Sequence, residues 1–113
     1  MMKGATAQVH KVIEKTKKGE EPKRKEKTMV IKLSNLEDLI GDGNASIGRS
    51  KTIKMSLPYG EAGMSSTCTV HLTCNQDIKS IQRASVLCAK IVDKMLEEDQ
   101  VEIAKFIEEM RDA

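Results

Sequence analysis

The sequence is almost without aromatic residues: Tyr59 and Phe106 stand alone, and tryptophan is absent. That shortage excludes a platform of stacked aromatics for RNA or single-stranded DNA. It also requires any core to be built from Ile, Leu, Val, Met and Cys. No run of about 18 apolar residues is present to span a membrane, and no N-terminal stretch has the make-up of a signal peptide. Cysteine is sparse and odd in number. Cys68, Cys74 and Cys88 lack the spacing of a disulfide framework, so buried thiols in a reducing cytoplasm are expected.

What the chain does have is charge, unevenly placed. The formal net charge is only +2, yet residues 1–28 hold nine Lys or Arg against four Glu, and residues 93–113 hold three against eight Asp or Glu. The two ends thus balance at +5 and −5. Such polarity points to a basic segment seeking an acidic partner, or to attraction between copies of the chain. The 113 residues suit one domain, and the portion after residue 27 is short enough for a second copy to help stabilise it.

Periodicity gives an organisation. Val9, Val12 and Ile13 sit at helical spacing in Ala5–Lys18, with Gly19 as a stop, and the charged run Gly19–Lys27 around Pro22 reads as a linker. Residues 1–27 are therefore expected to be a basic arm, a short helix plus linker, and residues 28–113 a single α+β domain. Alternation predicts strands at Met29–Leu33, Thr52–Leu57 and Thr67–Cys74, with the Thr-rich side of the last facing water. A helical turn at Asn35–Ile40, a glycine-bearing loop at Gly41–Gly48 and a hairpin loop at Pro58–Met64 connect them. Asn75 or Asp77 caps a helix to about Glu97. Glu97, Glu98 and Asp99 interrupt its pattern, and Asp99 with Glu102 resembles a capping box for a second helix. The expected fold is a small three-stranded antiparallel sheet with two C-terminal helices packed on one face and a short N-terminal helical arm.

Candidate chemistry is thin. Cys68, His71 and Cys74 form C-x₂-H-x₂-C, but on a strand the cysteines face one side and the histidine the other, over about 20 Å. They cannot close around one tetrahedral zinc. Neither His10 nor His71 is placed to activate a thiol. The loop GDGNASIG lacks the order of a phosphate-binding loop, and Ile47 and Ile53 occupy positions where a calcium loop needs Gly and Glu. Asn44-Ala45-Ser46 matches a glycosylation sequon without the secretory context it requires. No catalytic residue, metal site or cofactor is assigned, and a non-enzymatic binding protein is expected.

Two surfaces carry the functional expectation. Lys11, Lys15, Lys17, Lys18, Lys23, Arg24, Lys25 and Lys27 fall in one basic stretch, suited to the phosphates of a nucleic acid or nucleoprotein complex. Lys32, Arg49, Lys51 and Lys54 extend it if the strands lie nearby, while Glu14, Glu20, Glu21 and Glu26 blunt its field. Tyr59 and Glu61 lie in a connecting loop, where the lone tyrosine either anchors a protein partner or caps the core. The first expectation is an accessory protein that binds nucleic acid through the basic arm. The alternative is a protein–protein adaptor or inhibitor, of the kind carried by mobile elements, acting through a sheet edge, the Tyr59 loop or the acidic C-terminal helix. Glu97, Glu98, Asp99 and Glu102 would carry any mimicry of phosphate. A homo-oligomer fits either, and neither needs a membrane.

Overall fold

The computed structural model describes residues 5–33 and 45–112, and in it the N-terminal segment is a strand rather than a helix. β1 (Ala5–Lys17) turns through Lys18–Pro22 into β2 (Lys23–Leu33). β3 (Ala45–Ser56) and β4 (Ala62–Cys74) form a second hairpin, closed by a 3₁₀ turn at Pro58–Gly60. The order across the sheet is β2-β1-β4-β3, with every neighbouring pair antiparallel. One helix, α1 (Ile78–Asp112), runs its 35 residues along one face.

This corrects the expected architecture in three ways: among the described residues the sheet has four strands, one helix stands where two C-terminal helices are expected, and residues 5–17 form a strand rather than a helical arm. The boundary expected at residues 27 and 28 falls inside β2. Both main errors have one physical origin. On β1 the residues facing the helix are Ala7, Val9, Lys11 and Ile13, an alternation that a lysine interrupts. On α1 the buried stripe is Ser80, Ala84, Cys88, Val92, Leu96, Asp99, Ile103, Phe106 and Ile107, a helical repeat that an aspartate interrupts. Lys11 and Asp99 meet each other, Nζ to Oδ2, at 2.9 Å. Each side chain made its own element look broken.

Two of the three predicted strands lie within longer ones, the third runs one residue past the end of β3 at Ser56, and Ala62, Gly63 and Met64, expected in a loop, belong to β4. Ala45–Gly48, also expected in a loop, begin β3. The predicted turn at Asn35–Ile40 and the loop residues 41–44 lie outside the described residues. Asp77 is the helix cap: its Oδ1 accepts the Ser80 backbone N–H at 2.9 Å, and its Oδ2 accepts the Ser80 hydroxyl at 2.8 Å.

The core divides in two. Ala7, Val9, Cys68, Val70, Leu72 and Cys74 pack against Ala84, Cys88, Val92 and Leu96. Leu57, Ala62 and Met64 pack against Ile103, Phe106 and Ile107. Between the two clusters sits a buried polar trio, in which Asp99 also accepts the Ser66 hydroxyl at 2.7 Å. The opposite face of the sheet has no covering layer among the described residues. It carries hydroxyl pairs such as Ser50–Thr69 at 3.0 Å and Thr52–Thr67 at 2.8 Å, and His10 bonds Thr28 there at 3.1 Å.

Four strands at about 4.8 Å spacing make a sheet about 19 Å wide, while a helix with its side chains is about 10–12 Å across. α1 lies over β4, held on the β3 side by Arg49 donating to Ser85 at 2.7 Å and by the Lys51–Asp93 ion pair at 3.1 Å. On the β1 side Lys11 and Phe106 mark its reach. On the helix-facing side of β2, Met29 and Ile31 are half-buried against the core.

A candidate interaction surface at one pole

The antiparallel register gathers most of the predicted side chains at one end of the molecule. Lys15 stands opposite Lys23, Ile13 opposite Lys25, and Lys11 opposite Lys27. Directly paired residues share a face of the sheet. Lys15, Lys17, Lys23 and Lys25 accordingly line one groove of about 530 Å³ beside the helix. Its apolar base is Ile13, Met64, Phe106 and Met110, and its carboxylates are Glu20 and Glu21 from the turn and Glu102 and Glu109 from the helix. A further depression of about 390 Å³ continues it past Lys11, Lys25 and Lys27. Lys15 and Lys17 place their ammonium groups 5.4 and 6.0 Å from the Phe106 ring centroid, within cation–π range.

The basic stretch is thus not one patch. Lys11 is engaged by Asp99, with 13% of its side chain exposed. Lys18 lies in the hairpin turn, where its N–H donates to the Glu61 carbonyl at 3.0 Å. Arg24 faces the opposite side of the sheet, 2.7 Å from Glu26 and 3.9 Å from Glu14. Arg49 and Lys51 hold the far flank of the helix and add nothing to the groove.

The Lys18–Glu61 bond ties the two hairpin turns together, so Tyr59 and Glu61 stand at the same pole as the groove. Tyr59 has φ 61° and ψ 23°, left-handed backbone that a residue with a Cβ rarely adopts, and Gly60 follows at φ 66°. Its side chain does not cap the core: the residue is 93% exposed. Glu61 is exposed, and its backbone N–H reaches the Pro58 carbonyl at 3.5 Å.

The three cysteines are thiols buried among apolar side chains. Burial pushes the Cys68 thiol up, against the opposing pull of Lys11, and burial likewise raises Cys88. Cys68 and Cys74 face the helix, whereas His71 is exposed on the other face, its ring over Gly48. A Cβ on Gly48 would stand 2.8 Å from His71 Cε1, so any side chain there would displace that ring. Among the described residues no group of three or more His, Cys, Asp or Glu is arranged to hold a metal ion. No helix of the described residues is long and apolar enough to cross a membrane.

Sequence reasoning missed the groove itself, and with it the roles of Phe106, Met110 and Glu109 there, while Glu102 was singled out only as a mimic of phosphate. The signal was present in Lys23, Lys25 and Lys27, whose period of two is that of one strand face. Compared with protein-family models, with curated proteins and with solved structures, the chain matches none.

Proposed function

We propose that this chain is a non-enzymatic interaction module, an adaptor or inhibitor that engages a protein partner through the Tyr59 turn. One observation carries the reading: an aromatic side chain 93% exposed on a left-handed backbone. A tyrosine in that conformation costs about 1–2 kcal/mol relative to a glycine-compatible turn, and an exposed ring returns nothing to the fold. Tyrosine is among the residues that most often dominate binding energy, because a large rigid surface is buried at little entropic cost. The β1–β2 turn braces it through the Lys18–Glu61 bond, which presents a firm tip rather than a loose loop. Three buried thiols fit a cytoplasmic setting.

Phosphate binding by the groove lysines is the weaker reading, because four glutamates share their groove and oppose a polyanion.

The test is affinity capture from the host with the native chain, Tyr59→Ala and Glu61→Ala, at raised salt. A partner held by the native protein and lost with Tyr59→Ala supports the proposal. Equal recovery by Tyr59→Ala overturns it.

A further inference from the structure

We infer that the C-terminal half of α1 masks a phosphate-binding lane on the β1–β2 hairpin, so that helix carboxylates and a strand of nucleic acid compete for the same lysines. The first reason is the origin of each charge. Four lysines and four glutamates line the groove beside the helix, which is therefore neutral as built. All four lysines belong to the hairpin, but only Glu20 and Glu21 do, so the hairpin's own surface there is positive by two. Glu102 and Glu109, which cancel that excess, come from α1.

The second reason is the placement of the lysines. Lys23 and Lys25 stand two residues apart on one strand face, about 6.8 Å, and Lys15 lies directly opposite Lys23. Like charges paired in this way repel, and any anion laid along them relieves the repulsion. The lane is linear and walled on one side by α1, which suits a single extended backbone. Its contacts would be to phosphate rather than to bases, because Phe106 is 8% exposed and lies beneath Lys15 and Lys17.

The third reason is that the helix meets this lane with negative groups of graded strength. Lys11 on β1 is held by Asp99 at 2.9 Å and donates to the Met95 carbonyl at 3.5 Å. Lys15 and Lys17 lie over the electron-rich face of Phe106. Lys23 and Lys25 share the groove with Glu102 and Glu109, yet no ion pair within 4.0 Å among the described residues uses any of these four. Attraction across such a gap is weak and screened by salt. It opposes a polyanion without locking the lysines, as a competitor does and a structural bridge does not.

The experiment is fluorescence anisotropy of a labelled single-stranded DNA of about 20 nucleotides, titrated with the full chain at about 50 and 200 mM salt. Circular dichroism confirms the fold of each variant. E102Q/E109Q removes the mask and should bind at least about tenfold more tightly than the native chain at the lower salt, with a steeper loss at the higher. E97Q/E108Q makes the same change in net charge at exposed helix positions outside the groove and should stay close to the native value. Adding K23Q/K25Q to E102Q/E109Q should abolish the gain. Binding by E102Q/E109Q no tighter than native overturns the proposal. So does an equal gain in E97Q/E108Q, which would reduce the effect to net charge, or a gain that survives K23Q/K25Q. The Tyr59 turn takes no part in the lane, so Tyr59→Ala should leave every value unchanged, and failure here is separate from failure of the Tyr59 proposal.

Discussion

At the residue scale the fold turns on a single buried ion pair. Lys11 and Asp99 are 13% and 7% exposed as side chains, and the Ser66 hydroxyl and Met95 carbonyl complete their bonding at 2.7 and 3.5 Å. Removing one partner from such a pair strands the other charge, at a cost of about 3–5 kcal/mol, whereas replacing the whole group by apolar residues is often nearly neutral. Lys11→Met and Asp99→Leu should each lower the unfolding free energy measured by urea titration by that amount. The combination K11M/D99L/S66A should recover most of the loss, and a purely additive result would show that the three do not act together. Pairing also serves position. It sits between two apolar clusters that could otherwise slide, so the helix has one register in which the lysine finds its carboxylate. Tyr59 is the opposite case, a residue whose conformation serves nothing nearby. Tyr59→Gly should hold or raise stability by up to about 1 kcal/mol while abolishing partner binding.

At the element scale, the legible parts were those whose pattern is uninterrupted. β4 alternates Cys68, Val70, Leu72 and Cys74 inward with Thr67, Thr69, His71 and Thr73 outward, and this C-terminal part of it was read correctly. β1 was not, because Val9, Val12 and Ile13 satisfy helical spacing as well as the strand does once Lys11 is scored as polar. The join of α1 was hidden by the same habit of treating Asp99 as a surface residue. A basic arm was the consequence: once β1 and the first half of β2 were lost as strands, their lysines had no face to share, and the groove could not be drawn. Only pairing with β2 and β4 reveals that Lys15, Lys17, Lys23 and Lys25 line one side. The start of α1 was better marked, since an aspartate before an apolar stripe is an ordinary cap. The Ser80 backbone N–H, and then its hydroxyl, hold the Asp77 carboxyl below the usual range. With its folded value below the unfolded one, the cap's contribution is full above the unfolded value and fades as pH falls through the folded one. Stability should therefore decline below about pH 4 more steeply in the native chain than in Asp77→Asn, whose amide oxygen still accepts but does not titrate. Urea midpoints from pH 7 to pH 2 measure the difference.

At the scale of the whole molecule, the protein is a rod of 55 × 20 × 19 Å whose length is set by one helix, about 52 Å for its 35 residues. Protection should follow distance from that helix. Amides of β4, paired on both sides beneath α1, should exchange with solvent slowest, and the outward amides of β2 fastest in dilute protein. Hydrogen exchange read by mass spectrometry ranks them. The lone tyrosine has a practical corollary. With no tryptophan in the chain, ultraviolet emission comes from Tyr59, whose ring is as wet in the native protein as in an unfolded one. Denaturation should scarcely change that fluorescence, whereas a partner closing over the turn should change it at once. The protein carries a built-in optical probe, blind to its own unfolding and sensitive to the event proposed for it.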